Sequence, residues 1–275
     1  MFPLCKNVSL TKDCLLNSTL LLFRKVLYME NAINVNSLTV SYLGKIAIEN
    51  VSFTCQTGNL IGIIGPNGAG KSTLIQSILS LIPKDSGTVL FQGRPMKDVR
   101  EKIAYVQQRS DIDWDFPILV RDVVLLGTYP KLGLLRRPST EERQLALDCL
   151  QKVGMETYAN QQIGQLSGGQ QQRVFLARAL AQKADYFFLD EPFVGVDMRS
   201  EREIVRILKE IRDEGKTIFI VHHDLTKVEE YFDELLLLNK HLIAHGNVEE
   251  VLTEQHMSEA YNIQFPQISA KEVDE

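Results

Sequence analysis

The sequence is poor in cysteine, in long apolar runs and in excess positive charge. Its four cysteines (Cys5, Cys14, Cys55 and Cys149) show no CxxC spacing, so neither a disulfide framework nor a zinc site reads from the pattern. Buried, reduced thiols and a cytosolic compartment are the expectation. The longest apolar runs, such as Leu20–Phe23 and Leu235–Leu238, fall far short of the roughly 18 residues a spanning helix needs. The chain is therefore not expected to cross a membrane, although it can dock on something that does. A formal net charge of −5 argues against a broad face for phosphate backbones, and no nucleic acid partner is expected. There is no internal repeat, low-complexity segment or long heptad run.

What is present is ordinary globular composition, 44% apolar and 24% charged over 275 residues, enough for one large α/β unit. Residues 1–28 differ from the rest, with Lys6, Lys12, an interrupted apolar stretch from Leu15 to Phe23, then Arg24 and Lys25. No small-residue cleavage site follows, so a signal peptide is a poor reading. The segment is expected to be an N-terminal extension, disordered or preceding the native start; an interfacial amphipathic helix is the alternative. A domain over 29–265 and a tail over 266–275 complete the expected organisation.

From Ile33 to Tyr42 apolar residues alternate, with a phase slip at Asn36-Ser37 that predicts a strand with a turn or bulge. Val51–Phe53 suggests a second strand, and Thr88–Phe91 and Ile103–Val106 suggest two more. Leu60 to Ile64 is apolar throughout, as a strand buried on both faces is, and Tyr186 to Leu189, Thr217 to Val221 and Leu235 to Leu238 read as further buried-strand runs. Between Asp111 and Gln165 the pattern turns helical, and Ser139 with Glu142 predicts a capping box before a helix that Gly154 stops. Ile204, Ile207, Leu208 and Ile211 keep one helical face ahead of Gly215. Strand, helix, strand at these lengths predicts βαβ units and a mainly parallel sheet.

Three motifs carry chemistry. Gly65-Pro66-Asn67-Gly68-Ala69-Gly70-Lys71-Ser72 lies between a buried strand and a helix. Small residues there let backbone N–H groups wrap phosphate oxygens, and the helix N-terminus faces the anion. Lys71 would meet the β- and γ-phosphates and Ser72 a magnesium ion. Tyr186-Phe187-Phe188-Leu189-Asp190-Glu191 is an apolar strand ending in two acids. Asp190 suits the magnesium shell and Glu191 the attacking water, whereas strands that merely end in surface acids are the bland alternative. Leu166-Ser167-Gly168-Gly169-Gln170 precedes a helix from Gln171 to Leu180. It reads either as a flexible connector or as a second phosphate grip, useful if it completes the site of another subunit.

Ser167 to Gln170, continued by Arg173 and Ala177-Arg178-Ala179-Leu180, resembles the signature of the ABC ATPases over about Asn34–Tyr261. The resemblance implies a P-loop α/β core with a mainly parallel sheet, an antiparallel N-terminal β region and an inserted helical subdomain near 112–180. It implies ATP hydrolysis with Mg²⁺, held by Ser72, Gln108 and Asp190. Thr73 closes the phosphate loop, Tyr42 looks like the aromatic that stacks on adenine, and Gln108 like the γ-phosphate-sensing glutamine. Asp197, within Gly195-Val196-Asp197, resembles the loop that crosses a dimer interface. His223, rather than its neighbour His222, is similar to the histidine that contacts the γ-phosphate. Each has a bland alternative: Tyr42 a sheet residue, Gln108 a solvated loop residue, His222 the true contact. Gln107 and His222 depart from the family's usual Pro and Ser/Thr.

Asp113-Trp114-Asp115-Phe116-Pro117 and Glu191-Pro192-Phe193 resemble the manganese/zinc/iron importer branch, with manganese the first expectation. Trp114, Phe116 and the two aspartates sit where that family docks its membrane subunit; a packed surface aromatic with solvated acids is the alternative. One DxD lacks the oxygens to be a metal cage, so the cargo is not expected to touch this chain. The implied partners are a second copy of the chain, multi-span membrane permease subunits and, indirectly, an extracytoplasmic metal-binding protein. The implied place is the cytoplasmic face of the plasma membrane, peripherally. A non-transport ABC ATPase is the alternative, disfavoured by the missing heptads and basic patch. A GTPase would need Asn-Lys-x-Asp, but Asn239-Lys240 runs into His241-Leu242.

Overall fold

The computed structural model of the protein describes residues 31–114, 116–132 and 136–262. The expected extension at 1–28, the tail at 266–275 and Asp115 lie outside the described residues. Two sheets organise the chain. Strands β1 (Asn31–Tyr42), β2 (Lys45–Gln56), β4 (Ser86–Phe91) and β5 (Arg94–Pro95) form an antiparallel sheet in the order β2-β1-β4-β5. Strands β3 (Leu60–Ile64), β6 (Ile103–Val106), β7 (Tyr186–Leu189), β8 (Thr217–Val221), β9 (Glu234–Asn239) and β10 (His241–Asn247) form the second, in the order β10-β9-β3-β8-β7-β6. All its pairings are parallel except β9 with β10.

The phase slip at Asn36-Ser37 is real: Ser37 takes φ 49° and the register of β1 shifts between Val35 and Leu38. One extra residue there keeps Val35 and Leu38 both on the buried face. Antiparallel structure is not confined to one N-terminal block. Strand β3 leaves for the other sheet between β2 and β4, so the chain crosses between sheets twice before Arg100.

The parallel strands of the second sheet are buried on both faces, which is why they read as largely apolar runs, whereas its edge strand β10 is only partly buried. Ile61, Ile63, Phe188, Phe219, Leu236 and Leu238 pack with the antiparallel sheet and with α1 (Lys71–Ile78). Leu60, Ile64, Phe187, Leu189, Ile220 and Leu237 face the other core. That core is closed by α2 (Val120–Leu125), α3 (Thr140–Lys152), α4 (Gly168–Ala181) and α5 (Met198–Asp213). Alternate side chains thus serve opposite cores. Phe188 stacks on Phe219 at 4.9 Å, and Phe91 meets Tyr186 edge-on at 5.2 Å, joining the two sheets. Such ring pairs add about 0.5–1.5 kcal/mol each beyond their burial.

Helix ends follow the sequence closely. Ser139 and Glu142 form the expected capping box, and Gly154 stops the chain at φ 65°. Among the described residues no helix is long and apolar enough to cross a membrane. Cys55 and Cys149 are buried and free, as expected; Cys5 and Cys14 lie outside the described residues.

Candidate functional site

The phosphate-loop segment leaves β3 at Gly65 and enters α1 at Lys71. Two glycines are dictated by space. A Cβ on Gly65 (φ +147°) would lie 2.0 Å from the Leu238 carbonyl oxygen, and one on Gly70 (φ +92°) 2.4 Å from Ile48 Cγ2. Both positions also demand backbone that L side chains rarely adopt. At Gly68 there is open space, so φ +78° alone calls for glycine. The loop is propped from the β9–β10 turn, where the Lys240 amide donates to the Ala69 carbonyl at 2.8 Å.

Tyr42, Asn67, Gly68, Ala69, Gly70, Lys71, Ser72, Thr73 and Glu191 line one open cleft of 370 Å³, together with Lys240. Tyr42 ends β1 half-exposed at its rim. Lys71 is buried, and its Nζ donates to the Gly65 and Pro66 carbonyls at 2.9 Å each. Burial lowers its pKa, opposed by the negative charges of Glu191 and Asp190. The ammonium is therefore held at the loop by the carbonyls and by two acids.

Strand β7 delivers those acids. Asp190 is buried at its end and accepts from Ser72 Oγ at 2.9 Å. Glu191 takes φ 49°, a strained turn for a side-chain-bearing residue, which presents its carboxylate to the cleft. Gln108, two residues past β6, donates from Nε2 to Glu191 Oε2 at 2.8 Å. Of the groups expected to surround Mg²⁺, the Ser72 hydroxyl and the Asp190 carboxylate are bonded to each other, while the Gln108 amide is bonded to Glu191. This donor set of neutral and anionic oxygens fits a hard divalent cation.

The structure separates the remaining candidates from this cleft. Ser167 caps α4 with Gln170 in a second capping box, and none of Ser167 to Gln170 lines the cleft. Its glycines are set by close packing: a Cβ on Gly168 would lie 2.7 Å from the Gly195 carbonyl, and one on Gly169 2.3 Å from Ser200 Cβ. Asp197 caps α5, accepting from the Arg199 and Ser200 amides at 3.0 Å each. The signature and the Asp197 loop therefore form one unit.

Of the adjacent histidines, His223 is exposed and His222 is 2% exposed. His222 packs among Phe193, Tyr231 and Phe232 with ring distances of 5.4–5.9 Å, and its Nε2 has no hydrogen-bond partner. Burial, then the neighbouring His223, push its pKa down to about 4, with Glu201 and Asp224 pulling up and Lys227 down. The unfolded chain protonates this histidine near 6.5, so between those values the unfolded state holds the extra proton. Stability contributed here is complete above about pH 6.5 and is lost as pH falls towards 4, on the order of 3 kcal/mol. Denaturant titrations of the wild type and a His222→Phe variant should show this acid limb, steeper in the wild type; equal limbs would assign it to other groups.

Sequence reasoning missed Arg109. Its Nε and Nη2 donate to Gln171 Oε1 at 3.2 and 2.9 Å, and its guanidinium lies 5.4 Å from the Trp114 ring centre. It ties the Gln108 loop to helix α4; only its place after Gln108 hinted at that. Trp114 itself packs edge-on against Phe175 at 5.5 Å and donates to the Arg109 carbonyl, while Phe116 is 59% exposed.

Comparison with known proteins gives the family. Residues 48–194 match the ABC transporter family. The chain is 56% identical over 227 residues to the manganese transport system ATP-binding protein MntB of Listeria monocytogenes, covering 82% of this chain and 95% of that protein. It is 50% identical over 230 residues to the zinc transport system ATP-binding protein TroB of Treponema pallidum, covering 84% and 86%. Among solved structures, cbiO1 of Clostridium perfringens, part of the ABC transporter complex cbiONQ, superposes with a TM-score of 0.71 at 30% identity, covering 87% and 97%.

Proposed function

This chain belongs to the ABC transporter family as an ATP-binding, ATP-hydrolysing subunit, and from that premise we propose that it powers import of a divalent metal ion, manganese first. Its family role implies membrane permease partners. The cytoplasmic face of the membrane is the matching location, with an extracytoplasmic metal-binding protein as the remote partner. The observation that carries the ATPase reading is the paired contact set Ser72–Asp190 and Gln108–Glu191 beside the phosphate loop.

The residues divide the chemistry as follows. Backbone amides from Asn67 to Thr73 and the Lys71 ammonium receive the phosphates, and Tyr42 offers its ring to the adenine. Ser72, Asp190 and Gln108 would hold Mg²⁺, which when bound neutralises phosphate charge. Glu191 Oε2, already oriented by the Gln108 amide, takes the proton of the attacking water. His223 supplies a donor at the γ-phosphate. Phosphoryl transfer needs little more than this positioning and charge.

Two copies are needed to complete each site. Ser167, Gly168, Gly169 and Gln170 form a helix N-terminus that does not line their own chain's cleft, so they suit the nucleotide held by a second copy. Asp197, packed into the same unit, then lies at that dimer interface. ATP closes the pair, and closure is passed to the permease. An open groove of 390 Å³ lined by Leu81, Met96, Tyr105 and Pro130 lies along β6, the strand that leads to Gln108, and suits the permease contact.

Manganese is placed ahead of zinc because the manganese-system relative is the more similar, 56% against 50%. Disrupting the gene and measuring manganese, zinc and iron uptake side by side should show a selective manganese deficit under scarcity. A selective zinc deficit would change the metal, and unchanged uptake of all three would remove the import reading.

A further inference from the structure

At the end of β3 remote from the phosphate loop, three metal-ligand residues distant in sequence converge. Cys55 lies near the end of β2, Glu234 opens β9 and His245 lies on β10. Their ligand atoms all fall within 4.8 Å of one another. Cys55 Sγ is 3.8 Å from His245 Nε2, and Glu234 Oε2 is 3.4 Å from the same nitrogen. Cys55 is fully buried, while the side chains of His245 and Glu234 are 21% and 15% exposed, which leaves the rim of the cluster open to solvent.

Hydrogen bonding accounts poorly for this arrangement. One ring nitrogen carries either a proton or a lone pair, and here two groups approach the same Nε2. The 3.4 Å separation to Glu234 is also long for an imidazole–carboxylate bond. Coordination accounts for it better. A tetrahedral zinc ion with bonds of about 2.0–2.3 Å holds its ligand atoms about 3.3–3.6 Å apart, near the two separations to His245 Nε2, with the third pair inside 4.8 Å. The Asn59 amide donates to Glu234 Oε1 at 2.5 Å, leaving Oε2 free to turn inward, as an outer partner of a metal-bound carboxylate does. The Phe53 ring, 6.0 Å from that of His245, walls one side.

We propose that Cys55 Sγ, His245 Nε2 and Glu234 Oε2 form a zinc(II) site, with solvent as the fourth ligand, that clips the antiparallel sheet to the edge of the parallel one. The mixed sulfur, nitrogen and oxygen set favours borderline-soft zinc over manganese, which prefers oxygen ligands. Binding exchanges the thiol proton of Cys55 for the metal and releases it to solvent. One thiolate and one carboxylate then balance the two positive charges around a neutral imidazole. The site is separate from the nucleotide cleft and independent of which metal is transported.

The test uses the full chain without nucleotide, carrying Cys5→Ser and Cys14→Ser so that only Cys55 and Cys149 supply thiols. Zinc chloride at about 100-fold above its Kd should raise Tm by about 5–10 °C, while manganese chloride should not. Cobalt(II) in place of zinc should show a thiolate-to-metal charge-transfer band and the visible bands of a tetrahedral ion. Cys55→Ala and His245→Ala should abolish both, Cys149→Ala should keep both, and Asn59→Ala should weaken zinc about 10- to 100-fold. The absence of a zinc shift and of the cobalt band in the parent protein overturns the site, whatever the variants do. Bands that survive both Cys55→Ala and His245→Ala, or a manganese shift equal to that of zinc, overturn it as well.

Discussion

Glu191→Gln is expected to slow ATP turnover about 10²–10⁴-fold while ATP binding is retained. The substituted amide keeps the size of the side chain and can still meet Gln108, which now donates to Glu191 Oε2 at 2.8 Å. It cannot accept a proton from water. Nothing that grips phosphate changes: Asp190 still receives the Ser72 hydroxyl, and Lys71 stays buried at the loop. Removing the Glu191 charge takes away one of two influences that raise the Lys71 pKa, but Asp190 remains as the other. The variant should therefore collect as an ATP-bound dimer, seen as a doubled mass on size exclusion with ATP and Mg²⁺. Steady-state ATPase rates and nucleotide binding measured on the same preparation decide the matter. Near-normal turnover would rule out Glu191 as the base.

Substituting the two adjacent histidines should damage the protein in opposite ways. His223→Ala is expected to lower turnover at least about 100-fold with little change in Tm, because the exposed ring meets only the tilted ring of His222, 5.8 Å away. His222→Ala removes a ring enclosed by Phe193, Tyr231 and Phe232, so it should cost about 2–4 kcal/mol of stability through the cavity left behind. Burial makes the second substitution a folding defect with chemistry retained at permissive temperature. Rates and melting curves of both variants separate the two roles. A His222 variant that melts normally and loses hydrolysis would reverse the assignment.

Much of this was legible because its physics is local. A loop that turns to present backbone amides needs glycine where the backbone takes positive φ, as at Gly68, and that need is written in consecutive residues. Strands buried on both faces are largely apolar, so Leu60–Ile64 and Thr217–Val221 announced themselves. The Ser139–Glu142 cap and the slip at Asn36-Ser37 are likewise short-range devices. Strand β10 was missed because His241–Asn247 is only partly buried and mixes polar with apolar residues, so no period stands out. Strand β2 runs from Lys45 to Gln56, well beyond the Val51–Phe53 run, because pairing with β1 holds residues that alternation alone does not mark.

By itself, then, the sequence determined the family, the phosphate-loop motif and the strands buried on both faces, since each rests on neighbouring residues obeying one backbone geometry. Tertiary structure alone decided which side chains meet. Whether His222 or His223 faces outward depends on what packs against the end of β8. Arg109 matters because Gln171, 62 positions away, closes on it. Cys55, Glu234 and His245 form a cluster only because β2 lies against the β9–β10 hairpin, bringing together atoms up to 190 positions apart. Contacts of that range leave no period or spacing in the chain; they exist only once loop closure has been offset by the burial of two cores.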